Sequence, residues 1–357
     1  MSSSSIAILI VSHNGLELLQ DCLASVFASP DAPPANQVVV VDNASSDGTI
    51  GFLKRRYPQV TCIISPTNRG FAGGNNIGYA HIRSSLAHCR YVVLLNQDTA
   101  VQPGWAEPLV ELADARPEVG SIQCKLLFHP AVLGADWQGP SLFNSAGNES
   151  HYLGFGFVSK YREPGDGPDS VRPIAFCSGA AMLVRVSAVG RNELFPEEYF
   201  AYLEDAELGW RLRLAGYQNL YCPESIVYHR YRFSQNPQLY YRLEGNRWRL
   251  LLSYYRWPTL ALLVPAILLM EVGLLFYFIR IGALKQKLRS WSVLGDMSRI
   301  LARRREAQQV RRVTDRQLTA PFIAKAEFSE VRNPLLTYLG NPLLSLYWVL
   351  ARLVLRW

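Results

Sequence analysis

Short apolar, β-branched runs alternate with helix-spaced segments through the N-terminal quarter of the chain. That alternation restricts the fold more than any other property. Ile6–Val11, Val38–Val41, Val60–Ile64 and Tyr91–Leu95 are each apolar enough to be strands buried on both faces. Leu16–Ala28, Thr49–Tyr57 and Gly74–Leu86 lie between them with apolar residues at helical spacing. This order predicts an α/β fold with a mostly parallel twisted sheet and helices on both faces. Ligands bind such sheets beyond the C-terminal strand ends. His13, Asn14, Asp42, Asn43, Asn96 and Asp98 all follow strands and belong on that edge.

The region from Ser121 to Asp169 is richer in Gly, Pro and aromatics and reads as antiparallel or loop-rich. Ile174–Val184 reads as a buried strand with a small-residue turn at Ser178-Gly179. Asp205–Leu214 follows as a helix, and Leu220–His229 as a short strand. The expected organisation is a catalytic domain over residues 1–255, with a nucleotide half over 1–120 and an acceptor half over 121–255. A basic, apolar helical region over 256–357 completes it.

Charge supports that division. The formal net charge is +7, and the chain from Arg256 onward holds 16 of the 36 basic residues but only 6 of the 29 acidic ones. A near-neutral front therefore precedes a strongly cationic tail. The tail also carries the apolar run Leu260–Ile279 and the Trp- and Leu-rich segment Leu335–Trp357. Basic residues beside such segments point to the cytoplasmic face of a membrane, peripheral or monotopic. Glu271, near the middle of the apolar run, makes a lone spanning helix costly. A tail that packs on a homodimer is the alternative. The tail lacks a nucleic-acid-reading module. The six cysteines lie far apart, without metal spacing, and read as buried apolar residues of a reducing compartment. The first residues, Met1 to Ile6, do not read as a signal peptide.

Acidic residues recur where a strand gives way to a polar turn. Asp42 ends the Val38–Val41 run, where a carboxylate can accept from a base N–H or a ribose hydroxyl. Asp47 in the following turn reads as a helix cap. Asn96-Gln97-Asp98 forms a tight turn after a buried strand, and one carboxylate there suffices for Mg2+ or Mn2+, which keeps water and diphosphate oxygens as its other ligands. Asn68-Arg69-Gly70-Phe71-Ala72-Gly73-Gly74-Asn75 opens a helix and lets backbone approach a phosphate. Glu204-Asp205 starts a helix, where an acid either complements the helix dipole or serves as a general base for a sugar hydroxyl. Glu207 is expected on the solvent face; Arg211 and Arg213 are either surface residues or, one turn of helix from the acids, able to reach a diphosphate. His229, after Ile226-Val227-Tyr228, is either a late metal ligand or a strand-end histidine.

Taken in order, Ser12-His13-Asn14, Val41-Asp42-Asn43-Ala44-Ser45-Ser46-Asp47-Gly48, Asn68 to Asn75, Leu95-Asn96-Gln97-Asp98 and Tyr202-Leu203-Glu204-Asp205 resemble family 2 glycosyltransferases. The resemblance runs from about Ile6 to Arg256 and is nearest to rhamnosyltransferase-like enzymes of cell-surface polysaccharide assembly. It implies a GT-A fold, a dTDP- or UDP-linked sugar donor, a saccharide or lipid-linked acceptor, a divalent metal and inversion at the anomeric carbon. Asp205, paired with Glu204, would be the catalytic base. Ser12, Asn14, Asp42, Asn68, Gly70, Phe71, Asn75, Asn96 and Arg211 would hold the nucleotide-sugar. Ser178 and Gly179 would line the acceptor side, and Asp98 and His229 would face the metal. Asn96 stands where a stricter motif has Asp, which leaves ligation mainly to Asp98. A nucleotidyltransferase and a catalytically degenerate membrane scaffold are the competing readings.

Overall fold

The computed structural model describes residues 5–134, 136–190, 193–231, 237–327 and 334–357; Met1–Ser4, part of the segment read above for a signal peptide, lies outside them. The four expected strands form one parallel block. β1 (Ile6–Ser12) pairs with β2 (Val38–Asn43) and with β4 (Tyr91–Asn96), and β2 pairs with β3 (Thr61–Ser65). Helices α1 (Leu16–Ala28), α2 (Thr49–Arg56) and α3 (Gly70–Ser85) make the crossovers. Strands this apolar need cover on both faces. Leu19, Leu23 and Val26 of α1 join Ile8 and Ile10 in one core, and Tyr79 and Ile82 of α3 join Leu9 and Val41 in the other. Full burial of each such side chain is worth about 1.5–3 kcal/mol. α3 begins four residues earlier than its apolar pattern suggests, because the Asn68 side chain accepts the Gly70 N–H at 2.8 Å and starts the helix at the glycines.

Beyond β4 the sheet becomes mixed, which corrects the expectation of a mostly parallel one. β5 (Thr99–Val101) and α4 (Glu107–Ala115) lead to β6 (Val119–Phe128). After α5 (Pro130–Leu133) come β7 (Phe143–Ser145), the β8 (Asn148–Ser150) and β9 (Gly156–Val158) ribbon, β10 (Arg172–Ile174) and β11 (Ala181–Arg185). α6 (Val186–Val189), α7 (Glu204–Leu214) and β12 (Gln218–His229) follow. β11 lies antiparallel between β4 and β6, and β12 runs parallel to β6 and antiparallel to β10 and β5.

β6 falls inside the region expected to be irregular. Its Ser121, Gln123 and Lys125 disguise it, yet all three are buried and bonded. Ser121 donates to Asn219 at 2.8 Å, Gln123 to Ser145 at 3.0 Å, and Lys125 to the Gly165 carbonyl. Buried polar groups are tolerated only when so paired.

The chain divides into two compact units. The first, Met1–Asn148, Val158–Leu212 and Tyr217–Arg232, holds the ten-stranded sheet. The second, Glu149–Phe157, Arg213–Gly216 and Phe233–Trp357, is mainly helical. It contains α8 (Pro237–Tyr254), α9 (Trp257–Arg280), α10 (Leu284–Ser290), α11 (Met297–Val310), α12 (Asp315–Leu318) and α13 (Asn341–Val354). α8, placed in the front domain by the expected boundary at 255, groups with this second unit. All six cysteines are free, and five of them are buried.

Candidate active site

The turns after β1, β2 and β4 meet at one end of the sheet. Gln97 links two of them, since its Oε1 accepts from Ser12 Oγ at 2.8 Å and from the His13 N–H at 3.1 Å. Asn14, in the left-handed region at φ 47°, accepts the Ser46 N–H at 2.9 Å. Asp47 accepts the N–H groups of Thr49 and Leu16, so it steadies the starts of both α2 and α1 and has a structural job.

Asp42 is fully buried at the end of β2. Its Oδ2 accepts the Ser45 N–H at 3.1 Å, while Oδ1 has no hydrogen-bond partner. A buried acceptor without a donor costs about 1–3 kcal/mol, so this atom is poised for a ligand N–H or hydroxyl. Asn43, placed on this edge from sequence, ties together the loop that opens α3. Its amide donates to Asn68 and to the Gly70 carbonyl, and its Oδ1 accepts the Arg69 N–H at 2.9 Å. Gly70 sits at φ 70°, and a Cβ there would collide with the Phe200 carbonyl, so only glycine fits. Phe71 packs against Phe195 and lies over Gly179. Asn75 is buried inside α3 and donates to the Phe71 carbonyl at 2.9 Å.

Asp98 occupies the β4–β5 turn beside the end of β12. Its Oδ1 lies 3.3 Å from His229 Nε2, and His229 Nδ1 lies 2.9 Å from Asn144 Oδ1. Burial pushes the Asp98 carboxyl up, but the hydrogen bond and charge of His229 outweigh this and hold it below the usual range. With Nδ1 beside the Asn144 amide oxygen, His229 faces the carboxylate through Nε2, an atom that either donates its N–H to Asp98 or offers a lone pair to a cation shared with it. Among the described residues no group of three His, Cys, Asp or Glu side chains is arranged for a metal ion. The donor set of one carboxylate and one imidazole therefore suits an ion that keeps water and phosphate ligands, as Mg2+ or Mn2+ does.

Asp205 stands in the first turn of α7. Oδ2 accepts the Gly179 N–H at 3.2 Å and Oδ1 the Ala206 N–H at 2.8 Å. Burial pushes its carboxyl up to about 6, against these two hydrogen bonds. Burial, with the adjacent Asp205 charge, pushes Glu204 well above the usual carboxyl range, and its Oε2 has no partner. Phe200, Tyr202 and Leu203, just before the pair, all have positive φ, between 59° and 74°. Non-glycine residues there are strained, and such strain gathers at functional sites.

Gly179 leads into β11, and the Ala180 carbonyl accepts the Asn96 N–H at 2.9 Å. The turn holding Asp98 and the glycine holding Asp205 thus adjoin the same end of the β4–β11 pair. Ser178 is fixed there by its N–H donating to Gln123 Oε1 at 2.8 Å.

Arg211 departs from its expected role. It is 3% exposed, and its guanidinium is consumed by Glu207 and by the carbonyls of Val189 and Leu194. It holds the α6–α7 connection and has no face left for a diphosphate. Glu207 is fully buried as its partner, not solvated as expected. Arg213 donates to the carbonyls of Leu318 and Gln317.

A family model described as Glycosyl transferase family 2 matches residues 7–189, just over half of the chain. The chain belongs to glycosyl transferase family 2. N-acetylglucosaminyl-diphospho-decaprenol L-rhamnosyltransferase of Mycobacterium tuberculosis strain ATCC 25618 / H37Rv is 31% identical to this glycosyltransferase over 224 residues, 59% of this chain and 71% of that protein. Rhamnosyltransferase WbbL of Escherichia coli strain K12 is 25% identical over 247 residues, 68% of this chain and 89% of that one. The crystal structure of GalNAc-T7 with UDP, GalNAc and Mn2+ superposes with a TM-score of 0.55 at 16% identity, over 71% of this chain and 48% of that one, a likeness of fold. The glycosyltransferase has the GT-A fold that its motifs implied, and family membership sets aside the nucleotidyltransferase reading.

Proposed function

We propose that this glycosyltransferase is an inverting, divalent-cation-dependent rhamnosyltransferase of cell-surface polysaccharide synthesis. Its donor is a dTDP- or UDP-linked sugar and its acceptor a lipid-linked saccharide at the cytoplasmic membrane face. The names of the mycobacterial and Escherichia coli relatives support the sugar, and the mycobacterial name supports a polyprenyl-diphosphate acceptor.

The observation that carries the reading is Asp205. Its carboxyl, raised to about 6, is ionised at neutral pH yet more basic than a solvated aspartate. Two backbone N–H groups fix its orientation and leave lone pairs for an incoming hydroxyl. Asp205 takes the acceptor proton as that oxygen bonds to the anomeric carbon. The bond from that carbon to the diphosphate breaks, and its electron pair leaves with the nucleoside diphosphate. Attack opposite the leaving group inverts the centre. Asp42 Oδ1 supplies the acceptor that a base or ribose donor needs. Asp98 and His229 would hold Mg2+ or Mn2+, which when bound neutralises charge growing on the leaving diphosphate. With Arg211 committed elsewhere, that charge compensation rests on the cation and on backbone N–H groups. The intact Asp98–His229 and Asp205–Gly179 contacts argue against a degenerate scaffold.

The test is a screen of nucleotide-sugars for nucleoside diphosphate release, with and without chelator, in the presence of a polyprenyl-diphosphate saccharide. Turnover of dTDP-rhamnose that chelator abolishes is expected. Cation-independent turnover, or turnover of other sugars alone, would overturn the reading.

A further inference from the structure

α9 is long and apolar enough to cross a membrane, yet its two faces differ. Leu260, Leu263, Ile267, Met270, Glu271, Leu274 and Phe278 are buried, a stripe at helical spacing that faces the rest of the second unit. Val264, Leu268, Val272, Phe276 and Ile279 form the opposite stripe and are exposed, Phe276 by 68%. α13 repeats the pattern, with Leu344, Trp348 and Ala351 buried and Leu346, Val349, Leu350 and Leu353 exposed. Tyr347 on α13 donates to the Leu262 carbonyl on α9. Both residues lie at the margin between the buried and exposed stripes of their helices. The helices therefore meet flank to flank, and the apolar surface continues from one to the other. Patches of this kind mark interaction sites in soluble proteins.

The buried stripe of α9 is fastened by charge. Glu271 pairs with Arg247 of α8 and with Lys287 of α10, the latter at 2.7 Å, and accepts Trp291 Nε1–H at 3.2 Å. Glu244 completes the cluster, 2.9 Å from Arg247 and 2.5 Å from Lys287. At the start of α9, Asp315 accepts from the Arg256 N–H and from Thr259 Oγ1, while the Arg304 guanidinium lies over the Trp257 ring. A helix tied at its start and middle to charged neighbours would carry those paired charges into the hydrocarbon if it spanned the bilayer, and ionisable groups there are costly.

We infer that α9 and α13 form an in-plane docking face for an anionic lipid bilayer, entering one leaflet without crossing it. Charge selects the occupant. Arg280, Lys285, Arg289 and Arg356 are exposed near the helix ends, where they meet acidic headgroups while the apolar stripes enter the acyl boundary. Trp257 and Tyr338, both exposed, sit where interfacial aromatics settle. This inference rests on the membrane placement proposed above. Its readout involves no sugar transfer, so the two can fail separately.

The test uses the full chain and preformed vesicles of phosphatidylcholine, with or without phosphatidylglycerol. Wild type should sediment with the anionic vesicles and about tenfold less with neutral ones. Leu268→Asp with Phe276→Asp, and separately Leu346→Asp with Val349→Asp, should each cut vesicle binding at least about tenfold while the thermal melt is kept, since these side chains are already exposed. A Lys285→Cys variant on anionic vesicles should react with a membrane-impermeant maleimide, above the wild-type background, without detergent. Labelling only after detergent would mean that α9 spans and would overturn the inference. Undiminished binding by both aspartate pairs, or equal binding to neutral vesicles, would also overturn it. Aspartate pairs that split a dimer without changing vesicle binding would assign the face to a second copy and overturn it equally.

Discussion

The carboxylate of Asp205 is held by the N–H of Gly179, a residue it meets across a gap of 26 positions in the chain. That hydrogen bond ties the start of α7 to the strand beside β4, whose end carries Asp98. A side chain at position 179 would press on Phe71, so glycine also keeps this junction open.

Asp205→Asn should reduce transfer by at least about a thousandfold and leave donor affinity within about twofold of wild type. Single-turnover transfer and calorimetric donor binding, measured side by side, decide it. An equal loss in both would remove Asp205 from the role of base.

The same carboxyl sets a pH dependence. As the proposed base it must be ionised to take a proton, so kcat/KM should fall about tenfold per pH unit below about 6. Stability runs the other way. A folded-state value raised above the unfolded one means that stability present at low pH is lost as pH rises through about 6. Asp205→Asn removes that loss at the expense of one backbone hydrogen bond, a net gain of about 1–2 kcal/mol at pH 8. Melting curves should place the variant above wild type at pH 8, with the difference closing by pH 5. A constant difference across that range would contradict the burial argument.

Asn144 contacts His229, so it would act on a cation held by Asp98 and His229 through that ring. Asn144→Ala should raise the Mn2+ concentration needed for half-maximal donor binding by about 10–100-fold, with kcat near wild type at saturating cation. Asp98→Ala should abolish the cation dependence of donor binding. A cation titration of nucleoside diphosphate binding reads both, and an unchanged Asp98→Ala curve would take that residue out of the site.

Asp42→Ala deletes the unpartnered Oδ1. Affinity for the nucleoside diphosphate alone should drop about tenfold, a loss of about 1–2 kcal/mol, with kcat little changed at saturating donor. A fall in kcat without weaker binding would show that Asp42 serves the fold instead.

Arg211→Ala should damage the protein without touching the donor. It breaks the buried Glu207 ion pair and removes the donor to two carbonyls, which costs about 3–5 kcal/mol and lowers the melting temperature. A raised donor KM with normal melting would restore the diphosphate contact expected from sequence.

What could be read in the chain depended on locality. Asp42 stands directly after an apolar run and Asp98 three residues after one, so their place at strand ends follows from their neighbours alone. The limits of α1 are legible for the same reason. β6 is hidden because Ser121, Gln123 and Lys125 imitate a solvated stretch, and the partners that neutralise them lie 22 to 98 residues away. Arg211 misleads in the same way. An arginine one turn from two acids looks exposed until the distant carbonyls of Val189 and Leu194 are known. The Glu271 problem is visible in sequence, but its solution, with Arg247 and Lys287 contributed by neighbouring helices, is not.

The Phe200 carbonyl, crowded against Gly70, also accepts the Ala72 N–H at 3.0 Å, and Arg69 is ion-paired to Glu197. The strained turn that leads into the Glu204–Asp205 pair is therefore bolted to the loop that opens α3. Neither part can drift without pulling the other out of line. A sequence change in either segment will register as a shared fault in substrate capture and turnover, and swapping one segment between related enzymes will succeed only when its mate travels with it.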